Sequence, residues 1–373
     1  MARRITRGTA FKAVAAVSVS VSFASADDLL LAVIEFDGLP TGVRQLDLAT
    51  GAVLTDFVAP DFPNNGMLSS VEAIAPGAGR TVLLGQPGGD GAISRYDENG
   101  VFLGHYLGAT PDPNPVDNIR GMAVSSDGFL YTSDWDDTDD VHRFVLSTGA
   151  SAGMVGDPLG KLILGSQAAP GLGRPEAIEI LADGDLLVGD IVRQRLVRYD
   201  AQTGARIGDF TAIAMIGSIT DIDQQPDGTV VTSEDGSGDR IRVFASDGTL
   251  LSQFAFRDPD GVHRLASGEF LVTSHSTFAQ GKGLFRVSAA GVILQTIDDT
   301  RSYGAIELIS LIEGGCNEAD LSEPFGTLDF GDVLAFLGAF GAMEPAADLT
   351  DPVGVFDFND VLAFLGAFGA GCP

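Results

Sequence analysis

Carboxylates are the chemically active side chains of this sequence. Glu72, Glu176 and Asp260 each open a short apolar segment, and Asp190 and Glu234 each close one. Oxygen ligands gathered in this way suit a hard divalent cation. Such a cation polarises a carbonyl and activates water. A second concentration lies in residues 314–373, which hold ten acids and no Lys or Arg. A third, Asp134-Trp-Asp-Asp-Thr-Asp-Asp140, packs five acids around Trp135. That run reads as a calcium loop, as a sugar-stacking platform, or as a solvated acidic loop. His105, His142 and His263 show no zinc spacing, and no Gly-rich phosphate loop or Ser-His-Asp order is present.

The whole chain of 373 residues carries 51 Asp+Glu against 22 Lys+Arg, a formal charge of −29. Phosphates need Lys and Arg to neutralise them, so this balance argues against nucleic acid and against an anionic membrane surface. At 45% hydrophobic residues it is not a disordered acidic chain. Forty-eight glycines point to many short strands and tight turns.

The first 26 residues contain four basic residues, no acid, an apolar stretch from Ala13 to Phe23 and small residues at Ala24-Ser25-Ala26. This is the pattern of a secretory signal peptide, so the expected location is secreted or cell-surface. No later segment is long and apolar enough to suggest a spanning helix. The two cysteines, Cys316 and Cys372, bracket the end of the chain. In an oxidising compartment they read as one disulfide, two free thiols being the alternative.

The elements that must position the carboxylates come as a repeat over residues 27–313. Taking Ile74, Met122, Ile178, Ile222, Val262 and Ile306 as equivalent gives spacings of 48, 56, 44, 40 and 44. A period in this range means a propeller or a solenoid. Glycines mark one set of turns at 79, 128, 184, 228 and 268, and a second set at 51, 100, 149, 204, 248 and 291. Asp-Gly between apolar runs signals a hairpin, because glycine accepts the positive φ of primed turns. Two hairpins per repeat make a four-stranded blade. The last strand, Tyr303–Ile312, has no partners after it, and the first unit from Leu29 lacks an opening strand. The expectation is an all-β six-bladed propeller closed by its C-terminal strand. Glu72, Arg120, Glu176, Thr220 and Asp260 then start inner strands at the channel mouth, with Glu35, Gln86, Asp134, Asp190, Glu234 and His275 at second-strand ends.

Leu186-Leu-Val-Gly-Asp190 followed by Arg195-Leu-Val-Arg-Tyr-Asp200 resembles the NHL pattern, and Pro259-Asp260-Gly261 resembles the metal-binding segment of gluconolactonase-like propellers. That resemblance implies a divalent metal at Glu72, Glu176 and Asp260 serving a lactone hydrolase. A strand-end Asp pinning neighbouring backbone is the structural alternative.

From Ala319 to Phe340 a motif runs that recurs from Ala347 to Phe368. Val333, Phe336, Leu337 and Phe340, and again Val361, Phe364, Leu365 and Phe368, follow helical spacing. Each predicted helix is preceded by an acidic loop. Two such units ending in Gly-Cys-Pro resemble a dockerin domain of the Gly-Cys-ending, planctomycete type, here over 314–373. The resemblance implies Ca²⁺ ligated by Asp320, Ser322, Asp329 and Asp332 in one loop and by Asp348, Thr350, Asp357 and Asp360 in the other. The alternative is that these residues cap the helices. The expected protein is an exported, surface-attached binding or scaffold module. Its tail would meet a protein or cell-surface partner, and its top face a small molecule or carbohydrate. The competing expectation is a metal-dependent lactonase.

Overall fold

The computed structural model describes residues 29–34, 41–59, 71–86, 93–107, 116, 118–135, 139–154, 159–165, 172–215, 217–236, 238–275, 281–311, 319–322, 328–343, 347–350 and 355–370. The expected signal peptide, Glu35, Cys316 and Cys372 lie outside them.

Among the described residues, twenty-four strands form six four-stranded antiparallel sheets. Blade one holds β1 (Leu29–Ile34), β2 (Gly42–Leu46) and β3 (Val53–Val58). Blade two is β4 (Ala73–Gly77), β5 (Thr81–Gly85), β6 (Ile93–Asp97) and β7 (Phe102–Leu107). Blade three is β8 (Ile119–Val124), β9 (Phe129–Asp134), β10 (Val141–Val145) and β11 (Lys161–Ile163). Blade four is β12 (Pro175–Ile180), β13 (Asp185–Asp190), β14 (Arg195–Asp200) and β15 (Arg206–Asp209). Blade five is β16 (Ser218–Gln224), β17 (Val230–Asp235), β18 (Arg240–Phe244) and β19 (Leu250–Ala255). Blade six is β20 (Pro259–Arg264), β21 (Phe270–Ser274), β22 (Gly283–Val287) and β23 (Ile293–Asp298). The last strand, β24 (Tyr303–Ile309), pairs with β1, Ala32 facing Ile306, and so completes blade one. The ring is a six-bladed propeller closed by its C-terminal strand.

Burial follows position within a blade. The second strands β5 and β21 are buried throughout, whereas the outer strands β19 and β23 are mostly exposed. Apolar clusters fill the seams between neighbouring blades, Leu83 and Ile119 joining blades two and three, Leu30 and Leu271 joining six and one. This sheet-on-sheet burial is what holds the ring together.

The glycine turns differ in one respect from the primed turns that Asp-Gly suggests. At residues 125–129, Gly128 alone has positive φ (+85), its N–H donates to the Ser125 carbonyl, and Ser125 N–H donates to Phe129 O. This is a type I turn closed by one left-handed residue. The aspartate contributes differently: Asp227 Oδ1 accepts from both the N–H and the hydroxyl of Thr229. Its side chain holds the turn, so only glycine needs the left-handed conformation.

Adjacent blades are also joined by side-chain hydroxyls. Ser133 donates to Glu176 O, Ser233 to Asp260 O, and Thr273 to Gly304 O. Each hydroxyl at the end of a second strand satisfies a carbonyl on the next blade's inner strand. At the equivalent Gly189 a Cβ would lie 2.9 Å from Ile219, so there the next blade's side chain occupies the space.

The tail forms two helices, α1 (Phe330–Ala342) and α2 (Phe358–Ala370). Asp329 caps α1 in a reciprocal capping box with Asp332. Phe336 and Phe364 stack with centroids 4.1 Å apart, and Val333, Phe340, Val361 and Phe368 pack around them. Leu337 and Leu365, expected on that inner face, are instead exposed, 56% and 53%. The stacked rings bring the inner faces together, and Ala339 supplies the buried position. No helix among the described residues is long and apolar enough to cross a membrane.

Candidate functional site

The channel mouth is built by the first residues of the inner strands. On β8, β12, β16 and β20 the pairing register shifts at Ile119/Gly121, Pro175/Ile178, Ile219/Asp221 and Pro259/Val262. A bulge re-aims the extra residue out of the ladder. Arg120, Glu176, Thr220 and Asp260 occupy those bulges. Gly121 and Gly261 beside them meet the next blade's backbone, the added Cβ lying 2.5 Å from Glu176 O and 2.7 Å from Ile306 N respectively.

At the mouth Arg120 Nη1 lies 3.5 Å from Glu72 Oε1, and its guanidinium sits 4.0 Å from the centroid of the Trp135 ring. Arg174 lies 5.0 Å from the same ring. Trp135 is therefore engaged by guanidinium groups. Glu176 is pushed up to about 8 by burial; Arg120 opposes the shift, and Asp260, Glu72 and Asp235 add to it. Its Oε2 is buried without a hydrogen-bond partner. Asp260 is raised by burial against the hydrogen bond from His275 Nδ1, which meets Asp260 Oδ2. Thr220 bridges Ser233 Oγ at 2.8 Å and Pro259 O at 3.0 Å, which makes it a strand link.

The second-strand ends behave differently. Gln86 donates to Ser94, Asp134 lies 3.8 Å from His142, and buried Glu234 lies 3.1 Å from Arg242. Asp190 accepts from Gly173 N, Arg193 N and Arg195. These carboxylates serve their own blades, so Asp190 and Glu234 are not available to a cation at the mouth. In the acidic run, Asp134, Asp139 and Asp140 are buried, with Arg174 3.7 Å from Asp139 and Lys161 2.5 Å from Asp140. At these three positions the carboxylates are buried beside a basic side chain, and Asp136, Asp137 and Thr138 lie outside the described residues. His142, one of the scattered histidines, is buried with Nδ1 2.9 Å from Leu159 O.

One group escaped the sequence reading. Beyond the mouth, Ala177, Asp221 and Ala305 ring the channel, and strand alternation carries Glu179, Asp223 and Glu307 to the next level on the same face. Glu179, Asp221 and Glu307 are all held well above the ordinary carboxylate range, chiefly by burial and then by one another and Asp223. Asp221 accepts from Val262 N and Ile222 N, and Asp223 Oδ2 lies 3.1 Å from His263 Nδ1. A cavity of about 20 Å³, lined by Glu72, Arg120, Asp221 and Glu307 among others, connects the two levels. The period-two step from the small-residue ring was the signal that could have found this group.

Among the described residues, three ligand atoms come within 4.8 Å of one another only at Asp235, Asp239 and Asp258, beside the mouth. Asp239 already accepts from Gly236 N and Asp258 N. Glu72, Glu176 and Asp260 share a field without reaching that spacing.

In the tail, Asp332 Oδ1 accepts from Leu321 N, Ser322 N and Ser322 Oγ, and Oδ2 from Asp329 N. Asp360 repeats the set with Leu349 N, Thr350 N, Thr350 Oγ1 and Asp357 N. Asp329 and Asp357 accept from Gly331 N and Asn359 N. Both aspartates are held below the usual range; for Asp332 amide bonds overcome burial, and for Asp360 the Asp357 amide is the largest cause. Asp320, at the start of the first loop, is itself buried.

No protein-family model matches the chain, and no curated protein does. Solved structures match its fold. A structure of a nidogen/laminin complex aligns with a TM-score of 0.55 at 11% identity, over 77% of this chain and 99% of that one. A protein of unknown function from Bacteroides caccae aligns at 0.50 and 10% identity, over 74% and 98%. A catalytically inactive virginiamycin B lyase from Staphylococcus aureus with quinupristin aligns at 0.45 and 13%, over 74% and 87%. These likenesses concern the propeller fold.

Proposed function

We propose that the chain is an exported, surface-attached propeller that binds a small molecule or carbohydrate at its top face and is held in place by a dockerin-like tail that meets a protein or cell-surface partner. The observation carrying this reading is the tail's outer face. After α1 and α2 have built a shared core, Phe330, Leu334 and Leu337 and their counterparts Phe358, Leu362 and Leu365 stay in solvent. An apolar patch of this kind marks an interaction surface. Fractionation of cells producing the full chain, a 1–313 truncation and the double variant Leu337→Glu/Leu365→Glu tests it. The full chain is expected in the envelope fraction, and the other two in the medium. Equal distribution of all three would falsify the tether.

Calcium at the tail loops belongs to the same reading, with the oxygen-bearing side chains of the two duplicated loops as the ligands that the dockerin resemblance implies. Calorimetric titration of the full chain with Ca²⁺ checks it, and absence of heat with unchanged melting in chelator excludes it.

A metal-dependent lactone hydrolase is the second reading. It is favoured by Glu176, whose buried oxygen is unpartnered while Glu72 and Asp260 raise its proton affinity. A divalent cation would take the proton's place there and supply Lewis-acid activation. Lactone turnover with added Ca²⁺, Zn²⁺ or Mn²⁺, lost in Asp260→Ala and Glu176→Ala, supports it. No turnover with any of the three metals removes it.

A further inference from the structure

The carboxyl groups inside the channel lie beyond the mouth and take no part in the readings above. Glu179 on β12, Asp221 and Asp223 on β16 and Glu307 on β24 belong to three inner strands from blades four, five and one. Together with the cavity that Asp221 and Glu307 line, they form one cluster across the channel. Their spacing does not suit a chelated ion, since no three of these carboxylates bring oxygens within 4.8 Å.

The charged groups on the packed strands are committed elsewhere. Arg120 on β8 turns to Glu72 and Trp135, and Arg264 on β20 reaches Asp227 at 3.2 Å. Asp260 meets His275, and Glu234 on β17 meets Arg242. On β13, Asp185 meets Arg198 and Asp190 meets Arg193 and Arg195; on β9, Asp134 meets His142. Glu176 and Asp235 add further negative field at the mouth end, and both are themselves raised by burial. Among the described residues, His263 is the one basic side chain in contact with the cluster, and it meets Asp223. Among the described residues, Glu179 and Glu307 meet other carboxyl groups and no cation.

We propose that Glu179, Asp221 and Glu307, gathered around this cavity, are a proton-operated brace on ring closure: protonated, they let the inner strands of blades one, four and five face each other across the channel, and ionised, they drive them apart. Glu307 lies on the strand that closes the ring, so the repulsion acts at the β24–β1 seam. The direction follows from proton linkage. A carboxyl that holds its proton more tightly folded than unfolded contributes stability that is lost as pH rises above its unfolded value, near 4.

The test is thermal unfolding of the full chain from pH 5 to pH 9, with hydrogen exchange on the β24–β1 ladder. The wild-type midpoint should fall by about 5 °C or more across that range, and β24 amides should exchange faster at the alkaline end. Glu179→Gln/Glu307→Gln, which fixes the neutral form, should remove most of the slope. Equal slopes in wild type and variant would overturn the brace. Should the double variant not fold, infrared spectra of Glu179→Gln and Glu307→Gln against wild type decide, because Glu176 at the mouth is also pushed up to about 8. A protonated-carboxyl band above pH 6 that each single variant weakens supports the brace, and a band of equal strength in wild type and both variants overturns it.

Discussion

Thr273 is the residue on which the blade-six to blade-one seam turns. Its hydroxyl accepts from Gly261 N at 2.6 Å and donates to Gly304 O at 2.5 Å, in a fully buried place. Valine keeps the shape and abandons both backbone groups. Leaving buried partners unsatisfied costs about 1–3 kcal/mol, so Thr273→Val should lower unfolding free energy by that amount in denaturant titration. Gly261 offers a steric counterpart, since a Cβ there would meet the backbone of blade one. Gly261→Val should cost about 1–3 kcal/mol by overpacking, read in the same titration. The sequence placed Gly261 beside Asp260 at the start of an inner strand. It did not show that the next blade's backbone limits what side chain fits there.

Among elements, the tail helices show how a local rule and its tertiary use diverge. The duplicated motif made two helices and two acidic loops legible, because amphipathic spacing and a capping residue are local signals. What Asp332 and Asp360 do is less local, for each gathers amides from a loop ten or eleven residues earlier. Asp332→Ala should therefore speed hydrogen exchange at Leu321 and Ser322 by roughly tenfold, and Asp360→Ala should act in the same direction at Leu349 and Thr350. The pH sign is opposite to that of the channel. Because both aspartates sit below their ordinary value, their contribution is present above about pH 4 and lost as pH falls through the lowered value. Loop amides should lose protection in acid while the channel brace is intact. The outward turn of Leu337 and Leu365 was not legible, since helical spacing cannot say how far an apolar face extends around the axis.

For the whole molecule, closure is the decisive event. β24 completes blade one through its ladder with β1 and buries Ile306 and Ile309. A chain ending at residue 311 should unfold cooperatively, whereas one ending at residue 302 should lose the single transition in calorimetry. The exposed edge of β1 is the reason, because unpaired backbone and an open seam remain. A truncated 302-residue chain that melts like the longer one would show that five blades and a partial sixth suffice. The acidity of the chain also acquires two meanings at this scale. At the mouth and along the channel, burial raises the proton affinity of Glu176, Asp260, Glu179, Asp221 and Glu307; in the tail, amide donors hold Asp332 and Asp360 below the usual range.

The sequence by itself determined the number of blades, the closing strand, the turn positions and the two tail helices. Each of these rests on contacts within one repeat or on simple periodicity, which a linear chain displays directly. Only the tertiary structure decided what the carboxylates do. Asp190 and Glu234 went to arginines of their own blades, Glu176 to a buried place under Arg120, and Glu179 and Glu307 to face each other across the channel. A carboxyl's protonation depends on burial and on charges brought near from other blades, and those neighbours lie 40 or more residues away along the chain.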